Sequence, residues 1–166
     1  MTFRPSIDPK TRNDLKQIYD QMMWLAKCPN VSPSKARAWY THIVAESMKR
    51  RLRHFTGKVS VAAAADPSGV LRLEHFMRIQ TTLTKLVERH LKLKRPNPSE
   101  FIRVVCECEL VHIVTFQENY DAMRAGGDYK KAGIKLRSWG SLPKATQQIL
   151  WDKMLRGKVA NAQEYS

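Results

Sequence analysis

The chain reads as a mainly α fold of the α+β class, with five or six helices, a small β-hairpin and one further short strand. Three observations predict it. Apolar residues recur at spacings of three and four through most of the 166 residues. Helix starts are marked by capping residues, above all Ser32-Pro33 and the pair Thr115 and Glu118. One cluster, Asp66-Pro67-Ser68-Gly69, separates two short apolar runs in the manner of strand, turn and strand.

The first helix is predicted over residues 11–27, where Leu15, Ile18, Tyr19, Met22, Met23 and Leu25 make one apolar face before Cys28-Pro29-Asn30. The second starts at Ser32-Pro33 and runs through Ala36, Trp39, Tyr40, Ile43, Val44, Met48, Leu52 and Phe55 to a stop at Gly57. Residues 59–65 and 70–73 are the two hairpin strands, although the run of alanines in the first of them prefers helix. Phe76, Ile79, Leu83, Leu86, Val87 and Leu91 form a helical face to about residue 93, closed by Lys94-Arg95-Pro96-Asn97-Pro98. Ser99 caps a shorter helix with Phe101, Val104 and Val105 inward. Residues 110–114 are the further strand. The capping box Thr115…Glu118 then opens a helix that ends at Gly126-Gly127. Residues 129–139 are irregular and basic. A last helix from about Ser141 buries Ile149, Leu150 and Met154 and stops at Gly157.

This length suits one domain: an arm over 1–10, a globular domain over 11–157 and a loose tail over 158–166. A hydrophobic fraction of 43% argues against disorder. No apolar run approaches the ~20 residues of a membrane span, and the N-terminus lacks the apolar core of a signal peptide, so a cytoplasmic protein without a membrane partner is expected. Three cysteines, Cys28, Cys106 and Cys108, are an odd number and fit a reducing compartment. Cys106 and Cys108 form C-x-C with His112 four residues on, which departs from the paired ligand sets of structural zinc; they read as small helix residues.

The most informative quantity is charge. Lys and Arg number 29 against 15 Asp and Glu, a net +14. A field of that size attracts polyanions, and neutralising phosphates releases counterions. Three clusters carry it: residues 49–58, residues 89–95, and Lys130, Lys131, Lys135 and Arg137 beside Tyr129 and Trp139. Cations at helix C-termini, which the helix dipole favours, account for one or two of these clusters. They do not account for the global excess. The expected contacts are Arg50, Arg51, Arg53, Lys92, Lys94, Arg95, Lys130 and Lys131, on a nucleic acid that is either DNA or RNA. The four tryptophans fall on helical faces and read as packing. An acidic protein is the alternative partner, with this chain as its inhibitor. Glycine-rich phosphate cradles and nucleophile elbows are absent.

One constellation suggests chemistry. Glu74 and His75 end a strand, and Asn119 opens a helix after the next strand. Over residues 57–127 this order resembles, in part, that of HNH nucleases, the ββα-metal group. The resemblance implies Glu74 as ligand of Mg²⁺ or Mn²⁺, His75 as the base that activates water, and Asn119 as the residue steadying that base. A hard cation held by carboxylate would offset charge on a phosphoryl group, and a neutral imidazole would take the proton from water. Two departures stand against it: about thirty residues of helical sequence interrupt the motif, and its last metal ligand has no match. The other reading makes Glu74 a helix-start acid and His75 a hydrogen-bonded neighbour.

Overall fold

A computed structural model describes residues 5–166. In chain order the elements are α1 (Pro9–Ala26), α2 (Pro33–Ala38), α3 (Ala45–Leu52), β1 (His54–Ser60), α4 (Val61–Ala65), β2 (Leu71–His75), α5 (Ile79–Leu93), α6 (Pro98–Cys108), β3 (Leu110–Thr115), α7 (Phe116–Arg124), β4 (Leu136–Ser138) and α8 (Lys144–Leu150). The protein is mainly helical with a small mixed sheet. It divides into two compact units. A helical unit takes the residues up to Arg51 together with Arg78–Cys108; a sheet unit takes Leu52–Met77 and Glu109–Ser166.

In the helical unit, α1 begins earlier than its periodicity suggests. Asp8 caps it, accepting from the Thr11 N–H at 2.9 Å and the Thr11 hydroxyl at 2.6 Å, and Pro9 fits the first turn. A cap of this kind contributes about 1 kcal/mol. Residues 5–8 of the expected arm are therefore partly structured, with Pro5 and Ile7 lining a depression on α6. The remainder of the arm lies outside the described residues. Leu15, Ile18, Tyr19 and Met22 of α1 are buried, as are Ala36, Tyr40, Leu83, Leu86, Val87, Phe101 and Val105. Tyr40 and Tyr19 both pack on Phe101, with ring centroids 5.8 and 5.5 Å away. A π-helical turn, Trp39–Val44, joins α2 to α3.

In the sheet unit, the strand order is β2-β3-β1-β4, with β1 parallel to β3 and the other pairs antiparallel. The expected hairpin does not form, because β3 stands between its two strands. Its first half also changes identity. Ser60 accepts from the Ala63 N–H at 3.0 Å and caps the alanine run as α4, so helix propensity prevails over the strand reading. The second helix ends at Leu52, and Gly57 is not its stop. Gly57 sits inside β1 at φ +75°, where the register with β3 slips between Phe55 and Val59. A Cβ there would lie 3.2 Å from the Tyr165 hydroxyl.

The core of this unit packs Phe55, Val59, Leu71, Val111 and Ile113 of the sheet against Trp139, Leu142, Leu150, Met154 and Leu155. The tail is part of it rather than loose. Val159, Asn161 and Ala162 are buried. The Asn161 amide spans both backbone groups of Phe55, donating to its carbonyl and accepting from its N–H at 2.9 Å each. These contacts satisfy backbone groups on the bulged strand that the ladder leaves open.

Candidate functional site

The helical unit carries an open cleft of about 590 Å³ lined by Tyr19, Trp24, Lys27, His90, Lys94 and Arg95, with Asp20, Met23, Leu91 and Pro96 completing the wall. It lies where α1 and α5 both end. Lys27 is the C-cap of α1, and Lys94, in the left-handed region at φ 50°, is the C-cap of α5. Lys27, Lys92, Lys94 and Arg95 are exposed, and among the described residues none of them has an ion-pair partner. Trp24 is 68% exposed. It also lines a second depression with Gln21, Leu25 and Trp39, whose indole N–H donates to Gln21 Oε1 at 3.0 Å. An indole left this open beside unpaired cations is placed to receive a flat ligand, and Trp24 is the most exposed aromatic among the large hydrophobics of the described residues.

The floor of the cleft is rigid. The Asn97 N–H donates to the Tyr19 hydroxyl at 2.9 Å, and that hydroxyl lies 2.8 Å from His90 Nδ1. His90 Nε2 lies 2.7 Å from a Glu100 carboxylate oxygen. One proton arrangement satisfies the whole chain: Tyr19 donates to Nδ1, and Nε2–H donates to Glu100. Arg89 holds the other Glu100 oxygen. The His90 hydrogen bond, followed by that of Arg89, holds the Glu100 carboxyl below its ordinary value, while burial raises the Tyr19 hydroxyl. His90, expected to be one more cation of the cluster, is instead buried in this network.

The basic clusters fare unequally. Residues 49–58 are dispersed: Lys49 pairs with Glu46, Arg51 with Asp14 at 2.8 Å, and Lys58 donates to Ser138 at 3.0 Å. Arg51 is thus committed to holding α3 on α1, while Arg50 remains exposed. Arg53 is mostly buried in the sheet unit. Lys130 and Lys131 are exposed on a turn that Asp128 closes by accepting from the Lys131 N–H. The aromatics beside them are not platforms. Tyr129 turns inward to donate to Glu74, and Trp139 is buried in the core.

The residues of the HNH resemblance sit on β2 and α7. Neighbours on a strand project to opposite faces. Leu71 and Leu73 face the core, so His75 shares their side and Glu74 takes the other. His75 Nε2 lies 3.1 Å from Glu109. Glu74 is buried opposite His112 and receives the Tyr129 hydroxyl, whose proton burial and this carboxylate hold more tightly than usual. The Asn119 side chain bonds to neither of them. Among the described residues no group of three His, Cys, Asp or Glu is placed to hold a metal ion, and Cys106 and Cys108 are buried in α6. His112 lies 2.6 Å from the Thr56 hydroxyl, stacks on Phe76, and is pushed down to about 4 by burial and then by Lys58.

Sequence reasoning missed Trp24 as an exposed group. The signal was there: Trp24 is followed by Lys27 one turn on, at the polar margin of α1, whereas the buried positions 15, 18, 19, 22 and 26 define the opposite face. No protein-family model, no curated protein and no solved structure matches this chain. Among the described residues, no helix is long and apolar enough to cross a membrane.

Proposed function

We propose that the protein binds nucleic acid through the cleft at the ends of α1 and α5, with preference for unpaired strands. A base stacks on Trp24, and neighbouring phosphates lie on Lys27, Lys92, Lys94 and Arg95. The observation that carries this reading is the exposed indole flanked by cations without carboxylate partners. Stacking on an aromatic contributes about 1–3 kcal/mol per base and tolerates any sequence. The charge distribution supports it: the segments up to Arg51 and over Arg78–Cys108 hold 17 Lys and Arg against 7 Asp and Glu, most of the excess of the chain. Binding, not bond cleavage, is the activity proposed, since Glu74 and His75 face apart.

Titration of the protein with a short single-stranded oligonucleotide and with the matching duplex tests this. Trp24→Ala raises Kd for the single strand roughly 10- to 100-fold and leaves duplex binding little changed. Lys94→Gln weakens both and lowers the salt slope by about 0.7. A duplex or acidic-protein partner would engage the cations and ignore the indole; equal single-strand affinity in Trp24→Ala rejects the reading.

A further inference from the structure

The sheet unit holds a second cavity of about 540 Å³, distinct in composition from the cleft on α1. Arg53, Arg72, Lys153 and Lys158 line it, together with the rest of residues 68–73 and Met154, and no carboxylate does. Arg53 is the unusual member. Its side chain is only 18% exposed, its Nε is buried, and its guanidinium makes no hydrogen bond to any described residue. The nearest carboxylate, Glu109, stays 3.9 Å from Nε and is engaged by His75 at 3.1 Å. The buried Nε–H has no acceptor at hydrogen-bonding distance, and a buried donor left unmade is costly. Such a group signals a missing acceptor.

The surroundings are built to hold one. Lys153 is anchored on the carbonyl of Gly69, and Lys158 donates to the carbonyl of Lys153 at 2.7 Å, so both ammonium groups are positioned before any ligand arrives. The backbone adds donors. The Phe116 N–H bonds to the Val70 carbonyl, and Arg72 and Glu74 lie opposite Val114 and His112. In an antiparallel ladder this parity turns the N–H groups of Leu71 and Leu73 away from β3, toward the outer edge of β2. Arg72 is itself held over the Phe116 ring at 5.0 Å. Val70, Leu71, Leu73 and Met154 give the cavity an apolar wall.

We propose that this cavity is a phosphoryl-binding site, taking the dianionic monoester of a nucleotide-sized ligand. Arg53 forks onto two phosphoryl oxygens, Lys153 and Lys158 neutralise the remaining charge, and the nucleoside lies along the apolar wall. A free mononucleotide and the phosphorylated end of a strand present the same group. The site does not depend on the Trp24 reading, since it shares no residue with that cleft.

Calorimetric titration of the full chain carrying Trp24→Ala, at constant ionic strength, separates the cases. The probes are inorganic phosphate, adenosine, adenosine 5′-monophosphate, and one short oligonucleotide with and without a 5′-phosphate. The expected result is binding of the monophosphate at least 10-fold tighter than adenosine. Arg53→Met keeps the apolar stem and removes a largely buried charge whose Nε makes no hydrogen bond; with its fold checked by circular dichroism, it loses that preference. Lys158→Gln, on the exposed side, weakens the monophosphate 3- to 10-fold and serves as the second variant. A 5′-phosphate that strengthens oligonucleotide binding identifies strand ends as a source; no such gain identifies the free nucleotide. Equal affinity for adenosine and its monophosphate, or full affinity in both variants, overturns the proposal.

Discussion

The two units use their ionisable residues in opposite ways. In the helical unit, cations collect where α1 and α5 end, and several of them have no carboxylate near enough to pair. In the sheet unit, 12 Lys and Arg face 8 Asp and Glu, and buried polar groups are tied into the fold: Glu74 with Tyr129, Thr56 with His112, Glu109 with His75. The lesson is that net charge alone does not mark a binding surface. A cation is available to a ligand when no local carboxylate, dipole or carbonyl has already claimed it. Arg51 and Lys94 carry the same charge, yet one fastens two helices and the other faces solvent.

Four measurements test that contrast. The largest effect is expected for Asn161→Ala, which leaves the buried N–H of Phe55 without its acceptor and unfastens the C-terminal segment from β1; urea unfolding should show a loss of about 3 kcal/mol. A change below 0.5 kcal/mol by the same measurement would mean the tail is dispensable, as its sequence suggested.

Next comes the pH dependence of the sheet unit. His112 is held at about 4, below its ordinary value, by burial first and Lys58 second. Between that value and about 6.5 the unfolded chain binds the proton and the folded chain does not, so stability falls as pH falls through this window. The loss is roughly 2–3 kcal/mol in wild type. His112→Phe, which keeps the stack on Phe76, should flatten this stretch of the stability curve.

The helical unit loses stability in the same direction, as pH falls, but through a carboxyl group. Glu100 is lowered by His90 and Arg89, so its contribution is full above about pH 5 and disappears as pH falls through the lowered value. Glu100→Gln should cost about 2 kcal/mol at neutral pH and progressively less in acid. A constant difference across that range would show that the His90 network, not the charge, sets the stability.

The smallest effects should separate free cations by place. If the α1–α5 cleft is the contact surface, Arg95→Gln lowers the salt slope of single-strand binding by about 0.7, whereas Lys130→Gln leaves it unchanged. Equal changes would spread the interface over the irregular loop as well.

How much of this was visible in the residues varies with the range of the interactions. The helical faces of α1, α5 and α6 and the capping box of α7 follow from contacts within one or two turns, and they are where expected. The Asp-Pro-Ser-Gly turn is also real, but it joins α4 to β2 rather than two paired strands. Pairing depends on β3, which arrives only after α5 and α6, and no local signal announces it. The acid–histidine pair at the end of β2 was legible as a pair; that its members face apart follows from strand alternation once β2 is set against the core.

Composition, periodicity and caps were therefore sufficient for the mainly helical class, the capped starts of α2 and α7 and the surplus of positive charge, because each depends on residues close together along the chain. Tertiary structure alone chose which cations stay free, exposed Trp24, buried Arg53 without a hydrogen bond and drew residues 159–165 into the core. Those outcomes depend on partners dozens of residues away, whose proximity is a property of the packed chain and of no single segment.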